Sequence, residues 1–160
     1  MKTLITPLQV VKTAFGDGEI LPPETIAEAD IAAAEERWIV PAIGRKLHDR
    51  LLAGLYADLV TDYLAAPTAL YTRALVQPRL DIRTDRLGTL APKPANGAAA
   101  GDEARSRLRR QLLEEARTLL RRATDCLTAN RRRYPEYDPD EDRTARCSIA
   151  GGIVLPDDGR

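Results

Sequence analysis

Ile31 to Gly54, IAAAEERWIVPAIGRKLHDRLLAG, is the stretch whose pattern decides the architecture. Ile31, Ala34 and Trp38 recur at i, i+3 and i+7, so a helix brings them onto one face. Pro41 has no N–H and suits the first turn of a new helix, where that donor has no partner anyway. Ile43, Leu47 and Leu51 then step at i, i+4 and i+8, the spacing of a second apolar face, and Gly54 stands where a helix stop is expected. Gly44 costs about 1 kcal/mol relative to alanine inside a helix, so its presence predicts a close approach of another backbone. The stretch predicts two helices joined at Pro41 and contains no pattern that belongs to catalysis.

Working outward, Thr6-Pro7 reads as an N-cap and first helical residue, opening a short helix to about Phe15 that Gly16-Asp17-Gly18 ends. Pro22-Pro23 precede the helix that runs to about Ile39. Beyond Gly54, the residues Leu55, Tyr56, Leu59, Val60, Tyr63 and Leu64 predict a two-sided helix. Pro67 opens another to about Val76, with Leu70, Ala74 and Leu75 inward, and Pro78 stops it. Leu80 and Ile82 alternate as a short extended piece would, and the proline- and alanine-rich run at 91–101 makes 88–101 a mobile loop. Asp102 to about Arg133 is the longest helix, its inward stripe Leu108, Leu112, Leu119, Ala123, Cys126, Leu127 and Asn130. Tyr134-Pro135 closes it. The predicted fold is all-α: a compact multi-helix bundle over 1–137 and a flexible acidic tail over 138–160.

At 160 residues the chain is one domain's worth, 44% hydrophobic, 30% charged and only 4% aromatic, a composition that favours helix packing over sheets. Net charge is zero but unevenly spread: 101–133 holds ten arginines against five acids, and 134–160 three against seven. The N-terminus begins like a signal peptide, but Pro7, Gln9 and Lys12 interrupt the apolar region, and no run nears the roughly 18 apolar residues of a membrane span. The chain reads as bacterial-cytoplasmic, without a membrane partner. Cys126 and Cys147 are far apart and His48 is the lone histidine, which argues against zinc and against any cofactor site. His48 and Asp49 point about 100° apart on a helix, so they form no dyad, and His48 reads as a surface residue. Ser106 and Ser148 lack a nucleophile elbow, no phosphate-binding glycine motif is present, and Gly16-Asp17-Gly18-Glu19 is too short for a calcium loop. Asp138, Asp140, Glu141 and Asp142 read as a solvated acidic segment. No catalytic, cofactor or metal residues are assigned; the protein reads as no enzyme.

Two groups remain. Arg131, Arg132 and Arg133, with Arg105, Arg109, Arg121 and Arg122, form a candidate phosphate-binding stripe. Neutral net charge, the acidic neighbour segment and the lack of interleaved aromatics favour pairing with protein carboxylates, leaving DNA a secondary contact. Glu35, on the edge of the apolar face, is either a rim residue in water or an acceptor for the first N–H groups of the Pro41 helix, or a partner of Arg45.

The pattern Ile31-x-x-Ala34-Glu35-x-x-x-Ile39-x-Pro41-x-x-Gly44-x-x-Leu47, with Trp38 inside it, resembles the core signature of head–tail connector (adaptor) proteins of tailed bacteriophages. Tyr63-Leu64, Pro67 through Leu75, the Gly88 loop, one long helix and Tyr134-Pro-Glu-Tyr137 with a flexible tail are also similar. The likeness is greatest to versions carried by prophages of gut Bacteroidetes, and it covers most of residues 3–155. It implies a structural protein that assembles as a ring in the virion between the portal and tail-completion proteins, with no catalytic residues. The 91–101 run is richer in alanine and proline than the resemblance leads one to expect. Candidate partner contacts are Arg131, Arg132, Arg133, Tyr134 and Tyr137, together with the β-prone patch Ile153, Val154 and Leu155, which can add as a strand to a neighbour. The alternatives are an arginine-rich helical DNA-binding protein and a small bacterial interaction domain unrelated to phage.

Overall fold

The computed structural model describes residues 2–16, 21–81, 83–85, 88–90, 101–141, 147–150 and 153–156. Helix α1, Pro7–Ala14, opens on a reciprocal cap: Thr6 Oγ1 accepts the Gln9 N–H at 3.3 Å while Gln9 Oε1 accepts the Thr6 N–H at 2.7 Å. Its other end is held by Arg73, whose guanidinium donates to the Ala14 carbonyl and lies 4.4 Å from the Phe15 ring centroid.

The central stretch is helical as expected, but the break is elsewhere. Helix α2, Glu28–Ala34, passes through a wide π-helical turn, Glu35–Ile39, straight into α3, Val40–Ile43; α4 then spans Arg45–Leu52. The join expected at Pro41 falls at Gly44. A proline inside a regular helix loses a hydrogen bond and crowds the carbonyl one turn back. Here the Val40 N–H reaches back to the Glu35 carbonyl, and the extra residue in that turn makes room for the ring. Gly44, expected inside a helix as a packing contact, is the hinge itself: φ 82° and ψ 151° place it where side chains are strained. Gly54 ends α4 as expected, with φ 90°; its N–H meets the Leu51 carbonyl and the Leu55 N–H meets the Arg50 carbonyl, a Schellman closure.

The same device recurs downstream. Helix α5, Ala57–Leu59, a second π-helical turn, Val60–Leu64, and α6, Ala65–Leu80, follow without a break. Pro67 therefore opens no new helix, and Pro78 lies inside α6 rather than stopping it. The wide turn again precedes the proline, with the Ala65 N–H on the Val60 carbonyl.

Helix α6 is the axis of the bundle. Pro67 through Ala74 are all buried, with Val76, because α1 and α2 pack on it along with α7, Asp102–Ala129. Its apolar sequence is not confined to one face, which suits an enclosed helix. Leu70 and Ala74 point inward as expected, while Leu75 is only half-buried. Along α7 the buried stripe is Leu112, Ala116, Leu120, Ala123 and Leu127, flanked by half-buried Leu108, Leu119 and Cys126. Asn130 is exposed and lies past the helix end, its Nδ2 donating to the Cys126 carbonyl at 2.8 Å. That side-chain cap ends α7 before Arg131, short of the expected Arg133. Ile31, Ala34, Ile39, Ile43, Leu47 and Leu51 are all core, and half-buried Trp38 stacks on Tyr71 with centroids 4.7 Å apart.

Two small hairpins complete the chain. Strands β1, Arg83–Asp85, and β2, Gly88–Leu90, pair antiparallel, so the extended piece begins after α6 ends at Leu80, and Ile82 lies outside the described residues. Of the segment read as a mobile loop, Gly88–Leu90 is strand and exposed Gly101 caps α7; 91–100 lie outside the described residues. In the segment read as a tail, Pro139–Glu141 form a 3₁₀ turn, and β3, Cys147–Ala150, pairs antiparallel with β4, Ile153–Pro156. Asp142 through Arg146, Gly151, Gly152 and Asp157 through Arg160 lie outside the described residues. Among the described residues no helix is long and apolar enough to cross a membrane.

Candidate interaction surface

The residues of the central motif meet around one buried carboxylate. Glu35 is 1% exposed; its Oε1 accepts the Leu4 N–H at 2.7 Å and its Oε2 lies 3.0 Å from His48 Nε2. This settles the reading of Glu35 against a rim position, against the first N–H groups of the Pro41 helix, since Leu4 and His48 take its two oxygens, and against Arg45, whose guanidinium pairs with Glu36 instead. It also corrects His48, which is 3% exposed and no surface histidine. The Gly44 turn folds α4 back against the wide turn, and so brings together two side chains thirteen positions apart. A carboxylate acceptor calls for hydrogen on Nε2, leaving Nδ1 buried without a partner. Both groups are sealed from solvent, so the pair fastens the N-terminal segment to the α3–α4 hinge rather than meeting a substrate.

The segment after α7 forms a second junction. Tyr134 and Tyr137, expected as partner contacts, are 3% and 6% exposed and belong to the core. Tyr134 meets Tyr56 edge-on at 5.0 Å, and the Tyr56 hydroxyl donates to Glu136 Oε2 at 3.1 Å. Burial and that carboxylate both push the Tyr56 hydroxyl's pKa up, and burial does the same for Tyr134. Tyr56 has φ 54°, a strained conformation for a tyrosine, and these contacts offset it. Arg133 is spent on the same junction, paired with Asp58 and lying over Tyr134, and Arg50 reaches Glu136 at 3.3 Å. Of the three consecutive arginines, only Arg131 and Arg132 stay exposed with no carboxylate contact among the described residues.

The exposed side of α7 is different. Arg110, Arg117 and Arg121 recur at i, i+7 and i+11, outside the buried stripe, and all three are exposed, with Arg117 flanking the stripe near enough to the buried Tyr71 to act on its hydroxyl. None makes an ion pair with a described residue, whereas Arg107 pairs with Glu103 at 2.9 Å and Arg105 with Asp102 at 3.6 Å. Arg122, expected in the same stripe, turns aside over the Tyr63 ring at 5.2 Å. Arg105 and Arg109 line a partly open cavity of about 200 Å³ with Gln77, Pro78, Asp81 and Ser106.

A family model described as a family of unknown function, DUF6712, matches residues 34–147. The chain belongs to this family. The match begins at Ala34 in the central motif and runs through α6 and α7 to Cys147 at the start of β3, a span that takes in this chain's Glu35, His48 and arginine face. No curated protein and no solved structure matches the chain. Among the described residues no three histidine, cysteine or acidic side chains gather as a metal site, and Cys126 is a free thiol.

Ile153, Val154 and Leu155, expected to add to a neighbour's sheet, already pair on one side: Ile153 is opposite Ala150, Val154 opposite Ile149 and Leu155 opposite Ser148. The sheet has two strands among the described residues, so the outer edge of β4 carries no further strand there.

Proposed function

We propose that this protein is a structural, non-catalytic component of a tailed bacteriophage or prophage of a Bacteroidetes host. It acts as a head–tail connector, a ring oligomer seated between the portal and the tail-completion proteins, made in the bacterial cytoplasm and carried into the virion. The observation that supports this best is the line Arg110, Arg117 and Arg121 on the longest helix, exposed outside the buried stripe and without carboxylate partners among the described residues. Charged groups arranged this way set register and orientation between subunits. Glu114 and Asp125 are exposed on the same helix, which interrupts the continuous cationic track that a phosphate backbone favours. The motif behind the connector resemblance also has a physical role in this chain: Ala34 and Leu47 are core, Glu35 anchors the N-terminal segment, and Pro41 and Gly44 shape the bend between α2 and α4.

The test is an in-frame deletion in a prophage that carries the gene, followed by induction and electron microscopy. The expected result is filled heads and separate tails, with whole particles restored by the gene in trans. Normal infectious particles from the deletion strain, or absence of the protein from purified wild-type particles by mass spectrometry, would overturn the connector reading.

A further inference from the structure

We infer that the α7 arginine face binds the acidic turn that carries Asp138 and Asp140 of a second copy of this chain, head to tail. The inference rests on the ring reading and names the contact between copies. Arg110 to Arg121 spans about 16 Å of helix at 1.5 Å per residue, and offers three exposed guanidinium groups without carboxylate partners among the described residues. Asp138 and Asp140 are exposed on a turn that packs against α3, whereas the arginine line lies outside the buried stripe of α7. Asp138 Oδ1 accepts the Asp140 N–H at 2.9 Å, and this internal bond shapes the turn. Among the described residues Asp138 and Asp140 make no contact with the three arginines.

Two complementary patches on different faces make a heterologous contact, which generates a ring where its rotation closes. Arginine suits the role because its planar fork takes a carboxylate with two parallel bonds. Exposed pairs are individually weak and salt-screened, so the association is expected to be weak in the isolated protein and to strengthen when other contacts hold the copies together.

The full-length chain is followed by sedimentation velocity across a concentration series. Self-association should weaken by about tenfold or more between roughly 0.05 M and 0.5 M salt, as screening shortens the reach of the charges. Arg110→Glu/Arg117→Glu/Arg121→Glu should abolish it, and so should Asp138→Arg/Asp140→Arg. Mixing these two charge-reversed chains should restore it, because each then offers what the other lacks. The triple arginine-to-glutamine chain repeats the first loss with no new charge, and circular dichroism confirms that every variant is folded. A monomeric wild type at low salt, self-association untouched by the variants, or a mixture that stays monomeric would each overturn the inference. The mixture result also separates this contact from one with the chain's own C-terminal residues. If the contact fails while the protein is still found in particles, the connector reading stands without it; if the contact holds but particles lack the protein, the reverse is true.

Discussion

Replacing Glu35 with alanine removes the acceptor for two donors at once, the N–H of half-buried Leu4 at 2.7 Å and buried His48 Nε2 at 3.0 Å. His48 is closed to water, so its Nε2 gains no solvent partner. Hydrogen bonds to a charged group contribute about 1.5–3 kcal/mol each, and two are lost, so the expected loss is about 3–5 kcal/mol. For a chain of this size that corresponds to a fall in Tm of very roughly 6–20 °C. Glu35→Gln should cost less, about 1–3 kcal/mol, because its carbonyl still accepts from Leu4 while its amide needs His48 to move its hydrogen to the unpartnered Nδ1. Urea unfolding followed by far-UV circular dichroism gives the losses. A double-mutant cycle with His48→Ala should show coupling of about 0.5–3 kcal/mol, since both changes dismantle one contact. Amide exchange at Leu4 should accelerate in Glu35→Ala. A Glu35→Ala chain within about 1 kcal/mol of wild type would refute the anchoring role and the magnitude derived from it.

Gly44→Ala should destabilise by about 1–3 kcal/mol because φ 82° and ψ 151° exclude an unstrained side chain, whereas exposed Asp49→Ala should change little; equal melting temperatures would refute the hinge. Asp30 accepts the Ala27 N–H and two bonds from Arg79; burial alone would raise its pKa, but those bonds outweigh it and hold the carboxyl below its ordinary value. Its contribution is therefore complete above the unfolded carboxyl's value of about 4 and lost as pH falls through the folded value, so the stability gap between wild type and Asp30→Asn should narrow in acid; a gap independent of pH would refute this. Binding to random duplex DNA should be no tighter than the roughly 10⁻⁴–10⁻⁶ M of non-specific contacts at physiological salt, and submicromolar binding lost on Arg110/Arg117/Arg121→Ala would favour a DNA-binding role.

Features that depend on neighbours within a turn or two could be read from the residues alone. The Thr6–Gln9 cap, the Gly54 stop and the stripe through Leu112, Ala123 and Leu127 stand where local spacing and capping chemistry put them. The three prolines show the limit of that logic. Pro41, Pro67 and Pro78 each signal a helix boundary locally, yet all three lie within helix: wide turns precede the first two, and the third falls in the last turn of α6. Burial of α6 among its neighbours outweighed the lost hydrogen bonds. The Glu35–His48 pair was not legible either, because their meeting depends on the backbone angles of Gly44 and on Leu4 arriving from another part of the chain. Tyr134 and Tyr137 look like surface aromatics in a polar run, and only the turn that carries them back onto the core hides them. Tertiary structure also decided which arginines are spent inside the chain, such as Arg73, Arg79 and Arg133, and which remain outward on α7. Residue type sets the charge, but a charge finds a partner through distances in space, and those are set by how the helices pack.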